Sequence, residues 1–284
     1  MKGRKLVFLN ISVIAIIITI FPIATCNTIK VTTYKLNTPL LVKNSEIKIA
    51  LISDLHSTIF GNNQKKLIQK IKEQNPGLII LSGDILDDEV PNLGTKLLLS
   101  GIKDTAPIYY VTGNHEYWSN NIKNIRELLQ SYNVFILSDN YVKINLDNNE
   151  LVIAGIEDPD KKFYKTPEYN QNETMENVFR ELDKTELFKI LVAHRPENIE
   201  NYKKYSFNLV LSGHTHGGQI RIPPILNGLY APNQGLFPKY AGGYYSHDEM
   251  IHIISRGLSI NPRLPRIFNR PELVIIIIKS TAAP

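Results

Sequence analysis

Cysteine is nearly absent from this chain of 284 residues, because Cys26 is the only one. A single cysteine excludes an intrachain disulfide framework and any zinc site built from several thiolates. A bound metal ion would therefore have to be held by histidine, aspartate, glutamate or asparagine side chains.

Internal repeats, low-complexity tracts and a dense basic stripe are also missing. The formal net charge of +5 fits an anionic partner, such as phosphate groups or acidic lipid headgroups, but it is a small excess for this length. Without a basic stripe, no nucleic acid is expected as a partner. A hydrophobic content of 43% is sufficient for one well-packed domain.

Charged residues are missing from the apolar run 6–24, which follows the basic residues Lys2, Arg4 and Lys5. A helix of about 20 residues can cross a hydrocarbon core of roughly 30 Å, so a retained membrane anchor fits this run. A removed signal peptide fits it too, and the residues leading to Cys26 resemble a lipoprotein processing site. The basic start places the domain on the extracytoplasmic face, as a membrane-anchored protein or, alternatively, an exported protein or lipoprotein.

The remaining chain alternates short apolar runs with amphipathic segments, a pattern typical of the α/β class. We expect an anchor or signal segment at 1–26, a linker at 27–46 and one domain at 47–280, with two sheets packed face to face and helices outside. The close spacing of the runs between 134 and 154 predicts antiparallel neighbours. Strands are predicted at 47–52, 78–81, 108–111, 134–136, 141–144, 151–154, 188–192, 209–211, 250–254 and 273–278, and helices at 63–74, 92–102, 122–132 and 174–183.

Side chains that can bind metal stand directly after five of the predicted strands. Loops at the carboxyl ends of strands in α/β sheets converge to form sites, so these side chains are predicted to face one cleft. They are Asp54, His56, Asp84, Asn114, His115, His194, His214 and His216.

Glycines support the interpretation of these turns as site loops. Gly83, Gly113 and Gly213 each stand immediately before a candidate ligand, where the lack of a Cβ permits close backbone approach. Taken alone, Asp84 could be a helix N-cap and His194 a satisfied core histidine. The run G-H-T-H-G-G at 213–218 is more specific, because two imidazoles one residue apart in a glycine-flanked loop suit metal binding.

In their order along the chain, these motifs resemble those of the calcineurin-like metallophosphoesterase superfamily. The resemblance covers about residues 47–278 and implies a four-layer α/β/β/α sandwich of two mixed sheets with a dinuclear metal centre. The motifs are Asp54-x-His56, Gly83-Asp84, Gly113-Asn114-His115-Glu116, His194 and Gly213-His214-Thr215-His216.

The same resemblance implies a role for each residue. Asp84 bridges two divalent cations, and His115 remains unligated as the general acid that protonates the leaving group. Mixed oxygen and imidazole ligands favour Mn, Fe or Zn over Mg. The first metal takes Asp54, His56 and His216, and the second takes Asn114, His194 and His214.

Segments 213–220, 231–240 and 255–258 resemble a membrane-associated or exported bacterial branch of the superfamily, which includes UDP-2,3-diacylglucosamine hydrolases and broader phosphodiesterases. The implied activity is hydrolysis of phosphodiester or pyrophosphate bonds in a membrane lipid or a nucleotide-linked lipid. A catalytically silent scaffold with the same fold is the alternative, and the intact ligand positions argue against it.

The loop 221–245 is rich in proline, glycine and aromatic residues, so it is a candidate lid or interfacial rim. Arg221, Lys239 and Arg256 are candidate substrate-binding residues for an anionic headgroup or a diphosphate. An ordinary surface loop with structural aromatic residues is the alternative.

Overall fold

The structure is a computed structural model that describes residues 18–164, 166–260 and 264–281. Most of the predicted anchor or signal segment at 1–26 lies outside the described residues, and residues 18–24 are helical. No helix in the described part of the chain has the length and apolar character needed to cross a membrane.

The first of two mixed sheets contains β1 (Lys30–Thr38), β2 (Glu46–Ile52), β3 (Leu78–Ser82), β4 (Ile108–Val111), β5 (Val134–Ile136) and β14 (Glu272–Ser280). Their order is β1-β14-β2-β3-β4-β5. Strands β2 to β5 are parallel neighbours, β14 is antiparallel to β2, and β1 is parallel to β14.

The second sheet contains β6 (Asn140–Leu146), β7 (Asn149–Ile156), β8 (Phe188–Ala193), β9 (Leu209–Ser212), β12 (Gly243–His247) and β13 (Met250–Ile254). Their order is β12-β13-β9-β8-β7-β6, with four parallel central strands and antiparallel strands at both edges. A separate hairpin pairs β10 (Tyr230–Ala231) with β11 (Gly235–Leu236).

After the helical residues 18–24, the helices are α1 (Lys65–Glu73), α2 (Leu93–Ile102), α3 (Asn114–Trp118), α4 (Ile122–Gln130), α5 (Gln171–Phe179) and α6 (Ile199–Tyr202). Short 3-10 segments lie at Asn62–Gln64, Pro159–Phe163, Arg180–Lys184, Pro196–Asn198 and His216–Gly218.

Side chains that point alternately to the two faces of the buried strands build the layers of the fold. In β2, Ile49 and Leu51 pack between the two sheets, whereas Ala50 and Ile52 pack against α1, α2 and α4. Successive side chains of a strand point to opposite faces, so a strand buried on both sides is apolar throughout. The outer face of the second sheet packs against α5 and α6. The predicted α/β class with two mixed sheets is confirmed.

The segment 27–46, predicted as a linker, instead contains a strand of the first sheet. Strand β1 pairs with β14 from Lys30 opposite Glu272 to Thr38 opposite Ser280. It is an edge strand in which Leu36 and Thr38 are buried and most other side chains are not, so its apolar signal is weak.

The prediction of antiparallel neighbours between 134 and 154 was correct for β6 and β7 but wrong for β5. Strand β5 is parallel to β4, and the chain crosses to the second sheet in the short connection before β6. Spacing in the sequence limits the length of a connection, but it does not specify which sheet receives the next strand.

Candidate metal centre

Four predicted ligands come together where β2, β3 and β9 end. Ligand atoms of Asp54, His56, Asp84 and His216 all lie within 4.8 Å of one another. His216 Nε2 is 3.6 Å from Asp54 Oδ1, and His56 Nε2 is 3.7 Å from Asp84 Oδ2. This is one of three groups among the described residues that could hold a metal ion, and one of the other two consists of His56, Asp87 and His115.

A second group shares Asp84 with the first. Ligand atoms of Asp84, His194 and His214 lie within 4.8 Å of one another, and His194 Nε2 is 3.2 Å from Asp84 Oδ2. Asn114, the first residue of α3, is buried. The carboxylate of Asp84 thus stands between two ligand groups, as a bridging ligand would.

Unpaired polar atoms test whether these groups fit metal ions. Asp54 Oδ2, His56 Nε2, Asn114 Oδ1 and His194 Nε2 are buried and have no hydrogen-bond partner among the described residues. Buried polar atoms are normally paired, because leaving one unpaired costs about 1–3 kcal/mol. Cations held by the two ligand groups would satisfy the Asp54, His56 and His194 atoms, so the donor set fits a dinuclear divalent metal site.

In three of the candidate histidine ligands, Nδ1 lies within hydrogen-bond distance of another group of the protein. His56 Nδ1 lies 2.7 Å from Asp87 Oδ2, His194 Nδ1 lies 2.7 Å from the Ser82 carbonyl oxygen, and His216 Nδ1 lies 2.8 Å from Ser259 Oγ. In each ring this contact leaves Nε2 as the nitrogen that faces the centre. Such contacts fix ring orientation and tautomer at metal sites.

Burial and neighbouring charges determine the protonation states of the candidate ligands. Burial lowers the pKa of His214 and of His216 well below the ordinary value, so both imidazoles are neutral and can bind a metal. Burial opposes ionisation of Asp84, but in the metal-free protein the neighbouring positive charge of His194 holds the pKa of Asp84 well below its usual range.

The backbone bends sharply at the candidate ligands. Left-handed conformations at non-glycine residues are uncommon and concentrate at functional sites. Positive φ values occur at Asp54 (49°), His56 (46°), Asp84 (51°), His214 (71°) and His216 (48°).

The three glycines predicted to permit close approach lie against the ligands. A Cβ on Gly83 would lie 2.5 Å from His194 Nδ1, and one on Gly113 would lie 2.2 Å from Asp84 Oδ1. At Gly213 it would lie 1.7 Å from Ser53 Oγ. No side chain fits at these positions without moving a candidate ligand or its neighbour.

Glu116 supports the Asp84 loop, a role that sequence reasoning did not assign. Its buried carboxylate accepts hydrogen bonds from the backbone N–H groups of Asp84, Ile85, Leu86 and Gly113. Burial raises the pKa of Glu116 to about 7. Its position directly after His115 in the N-H-E motif was the available signal.

His115 lies beside the first ligand group and remains partly exposed. Its ring packs edge-on against His56, with centroids 4.4 Å apart, and lies 4.6 Å from the ring of Trp118. Its Nδ1 is 2.5 Å from Asp88 Oδ1 and 3.6 Å from Asp87 Oδ2. These two aspartates closely follow Asp84 in sequence, yet the motif reading did not include them.

A buried charged network borders the second ligand group. Arg195 donates to Asp158, and its Nη2 lies 3.0 Å from Asp160, which also accepts from the indole N–H of Trp118. Glu197 Oε1 is 3.8 Å from His214 Nε2, and neither Glu197 carboxylate oxygen has a hydrogen-bond partner in the described structure. These residues also escaped sequence reasoning, since single acidic residues carry no distinctive signal.

The candidate substrate-binding residues are not part of either ligand group. Arg221 donates to the Asn227 carbonyl, and Arg256 forms an ion pair with Glu272 at 3.0 Å. Lys239 is exposed, with its Nζ 5.1 Å from the centroid of the following tyrosine ring. Both guanidinium groups therefore already have partners inside the protein.

Comparison with known families identifies the arrangement. The family model described as "Calcineurin-like phosphoesterase" matches residues 47–218, more than half of the chain. The chain belongs to the calcineurin-like phosphoesterases. It is accordingly a metal-dependent phosphoesterase, as the resemblance of its motifs implied.

Individual relatives agree with this membership. An uncharacterized metallophosphoesterase of Aquifex aeolicus is 29% identical over 88% of this chain and 92% of its own length. A transmembrane protein with a metallophosphoesterase domain from Danio rerio is 26% identical over 82% of this chain, which spans 53% of that protein. Haemophilus influenzae NAD nucleotidase has the same fold, with a TM-score of 0.53 and 17% identity over 77% of this chain and 46% of that one.

Proposed function

We propose that this phosphoesterase uses two divalent cations to hydrolyse phosphodiester or pyrophosphate bonds in a membrane lipid or a nucleotide-linked lipid. The observation that carries the dinuclear centre is the pair of ligand groups that share Asp84 and contain unpaired buried atoms. The first cation is assigned to Asp54, His56, Asp84 and His216, and the second to Asp84, Asn114, His194 and His214.

Bound cations would supply positive charge, and the protein would supply a proton. Two bound cations, with Mn, Fe or Zn favoured by the mixed ligands, would neutralise the phosphoryl oxygens and acidify the attacking water. In the proposed step His115 begins as the imidazolium: its Nδ1 hydrogen is donated to Asp88, and its Nε2 proton passes to the leaving oxygen. After this transfer the His115 imidazole is neutral, and its Nδ1–H group still donates a hydrogen bond to Asp88.

The lipid part of the proposal rests on the apolar run 6–24 and on the exposed apolar residues of loop 221–245. A domain tethered beside a bilayer meets lipid-linked phosphate esters at high local concentration. We place the domain on the extracytoplasmic face, with an exported protein or a lipoprotein as the alternatives.

The bridging role of Asp84 is tested by metal content. The wild-type chain is expected to bind about two cations, and Asp84→Ala is expected to lose both together with hydrolysis of bis-p-nitrophenyl phosphate, because both groups use this carboxylate. Asp104→Ala, which removes an exposed aspartate, should leave both unchanged. An Asp84→Ala protein with full metal content and activity would contradict the bridging role, whereas a wild-type chain that binds no cation and hydrolyses no ester would favour the silent scaffold.

The role of His115 is tested by leaving-group dependence. His115→Ala should retain both metals and lose about 10²- to 10⁴-fold in turnover of esters with alkyl leaving groups, which need a proton. The loss should be much smaller for p-nitrophenyl esters, because nitrophenolate leaves unprotonated. Equal losses for both ester types, or loss of metal, would exclude His115 as the acid.

A further inference from the structure

The hairpin β10–β11 has one buried and one exposed apolar face. Tyr230 lies opposite Leu236, and Ala231 lies opposite Gly235. Residues opposite each other in an antiparallel pair share a face of the ribbon. Ala231 is completely buried, whereas Tyr230 is 52% and Leu236 is 66% exposed. Two large apolar side chains therefore stand together in solvent.

Neighbouring turns extend this apolar surface. Phe237, which is 67% exposed, continues directly from the hairpin, and its N–H donates to the Leu229 carbonyl. Ile222 and Ile225 are 51% and 85% exposed in a turn closed by Ile222 N–H and the Leu226 carbonyl. We define the apolar rim as Ile222, Ile225, Tyr230, Leu236 and Phe237. Single exposed apolar residues are ordinary, but five of them within residues 222–237, two of which pair across the hairpin, indicate a contact surface.

The apolar rim borders the metal centre. Asn233 lies in the turn of the hairpin, and its Oδ1 is 3.3 Å from His214 Nε2. Leu229 N–H donates to the Gly218 carbonyl at 2.9 Å, which holds the rim against the glycine-rich ligand loop. A surface that receives the rim therefore lies next to the candidate ligands.

The rim also connects to the end of the N-terminal apolar run. Phe268 N–H donates to the Ala24 carbonyl at 2.7 Å, and Ile267 N–H donates to the Gln219 carbonyl at 3.1 Å. Phe21 and Ile23, near the end of that run, are 64% and 66% exposed. One short segment thus joins the apolar run 6–24 to the loop that carries the rim.

We propose that the apolar rim inserts into the surface of an anionic lipid bilayer. A bilayer is favoured over a second copy of the chain because the loop that carries the rim is joined to the apolar run at Ala24, and because Lys239, two residues after Phe237, is exposed and suits acidic headgroups. Docking of the rim has a consequence for catalysis, because substrate would reach the metal centre from the lipid surface. This consequence rests on the proposed function, whereas the docking itself does not.

Docking is tested by site-specific fluorescence in the full chain. Cys26→Ser removes the native thiol, and Leu236→Cys provides one position for an environment-sensitive NBD label. The matched control is Phe135→Cys, because Phe135 is a 55% exposed apolar residue on edge strand β5, outside the rim. Each protein is mixed with vesicles of phosphatidylcholine and phosphatidylglycerol, with and without a nitroxide-labelled lipid.

The expected result is a blue shift and a several-fold gain in emission at position 236, removed by the nitroxide lipid, with little change at position 135. Equal accessibility of both labels to aqueous iodide in the presence of vesicles overturns the proposal. Shielding at position 236 without quenching by the nitroxide lipid also overturns it, since it assigns the rim to a second copy of the chain. Neither readout involves hydrolysis, so failure here is distinct from failure of the metal assignment.

A separate measurement tests whether the rim presents lipid-held substrate to the metal centre. A chain with Leu236→Ser and Phe237→Ser should hydrolyse soluble bis-p-nitrophenyl phosphate at the wild-type rate and hydrolyse hexadecyl p-nitrophenyl phosphate held in the vesicles several-fold more slowly. Equal rates on the vesicle-held ester show that the rim does not present substrate and overturn this part.

Discussion

At the scale of single residues, the centre depends on how closely its parts pack around Asp84. Asp84 Oδ1 accepts the backbone N–H of His115 at 2.9 Å, and Oδ2 faces His56 and His194. The Glu116 carboxylate holds the backbone of the same loop. A small displacement of Asp84 therefore disturbs both ligand groups at once.

Gly113→Ala is expected to weaken metal binding about 10- to 100-fold, the range found when residues supporting metal ligands are changed. Its φ of −106° suits alanine, so the effect is steric: the new Cβ would lie 2.2 Å from Asp84 Oδ1. Metal titration of the apo-protein measures the change.

Gly77→Ala is the matched control, because the nearest atom to its Cβ would be 3.6 Å away. Its affinity should equal that of the wild type. Equal affinity in the Gly113→Ala protein would show that Asp84 can shift without loss of the centre.

At the scale of elements, β1 protects the edge of β14. Its pairing runs the whole length of β14, and Thr32 Oγ1 donates to Glu272 at 2.6 Å. Without β1, the apolar strand β14 would present unpaired backbone groups at a sheet edge, which promotes association between chains.

Deletion of residues 1–38 is therefore expected to lower the urea midpoint of unfolding and to cause aggregation, compared with deletion of residues 1–26. Loss of buried Leu36 alone accounts for about 2–5 kcal/mol of destabilisation. Urea titration followed by circular dichroism and light scattering compares the two proteins. Matching midpoints would show that β1 is dispensable to the domain, as the linker prediction implied.

At the scale of the whole molecule, a buried carboxylate couples stability to pH. Glu157, at the end of β7, is completely buried, accepts from Tyr117, Arg126 and Ser138, and lies 3.4 Å from Lys161. Burial raises its pKa to about 7 from an ordinary value of 4.5, although Lys161 opposes the shift. Between these values the folded chain holds a proton that the unfolded chain has lost.

The contribution of Glu157 to the free energy of unfolding is therefore full below about pH 4.5. It decreases as the pH rises from there through the folded-state pKa of about 7. Urea unfolding of metal-free protein at intervals from pH 5 to 8 measures the slope. Glu157→Gln, which does not titrate, should show a flatter profile over this window. The same slope in both proteins would assign the pH dependence to other groups.

Sequence alone determined the strands of both sheets, except for the edge strand β1 and the short strands β10 to β12, and it determined which polar residues follow them. These features are local: continuous burial gives apolar runs, and ligands such as Asp54 and His214 stand immediately after those runs. The structure brings six of the seven predicted metal ligands together in two groups that share Asp84, and their binding of metal stays a prediction.

Only the tertiary structure decided which distant side chains meet. The contact of Asp88 with His115, the support of the Asp84 loop by Glu116 and the position of the apolar rim beside His214 depend on strand order and on packing of the two sheets. Strand β1 belongs here too, because a half-exposed edge strand carries little apolar pattern. Periodicity reports the burial of each residue, but a contact between residues far apart in sequence exists only once the layers have packed.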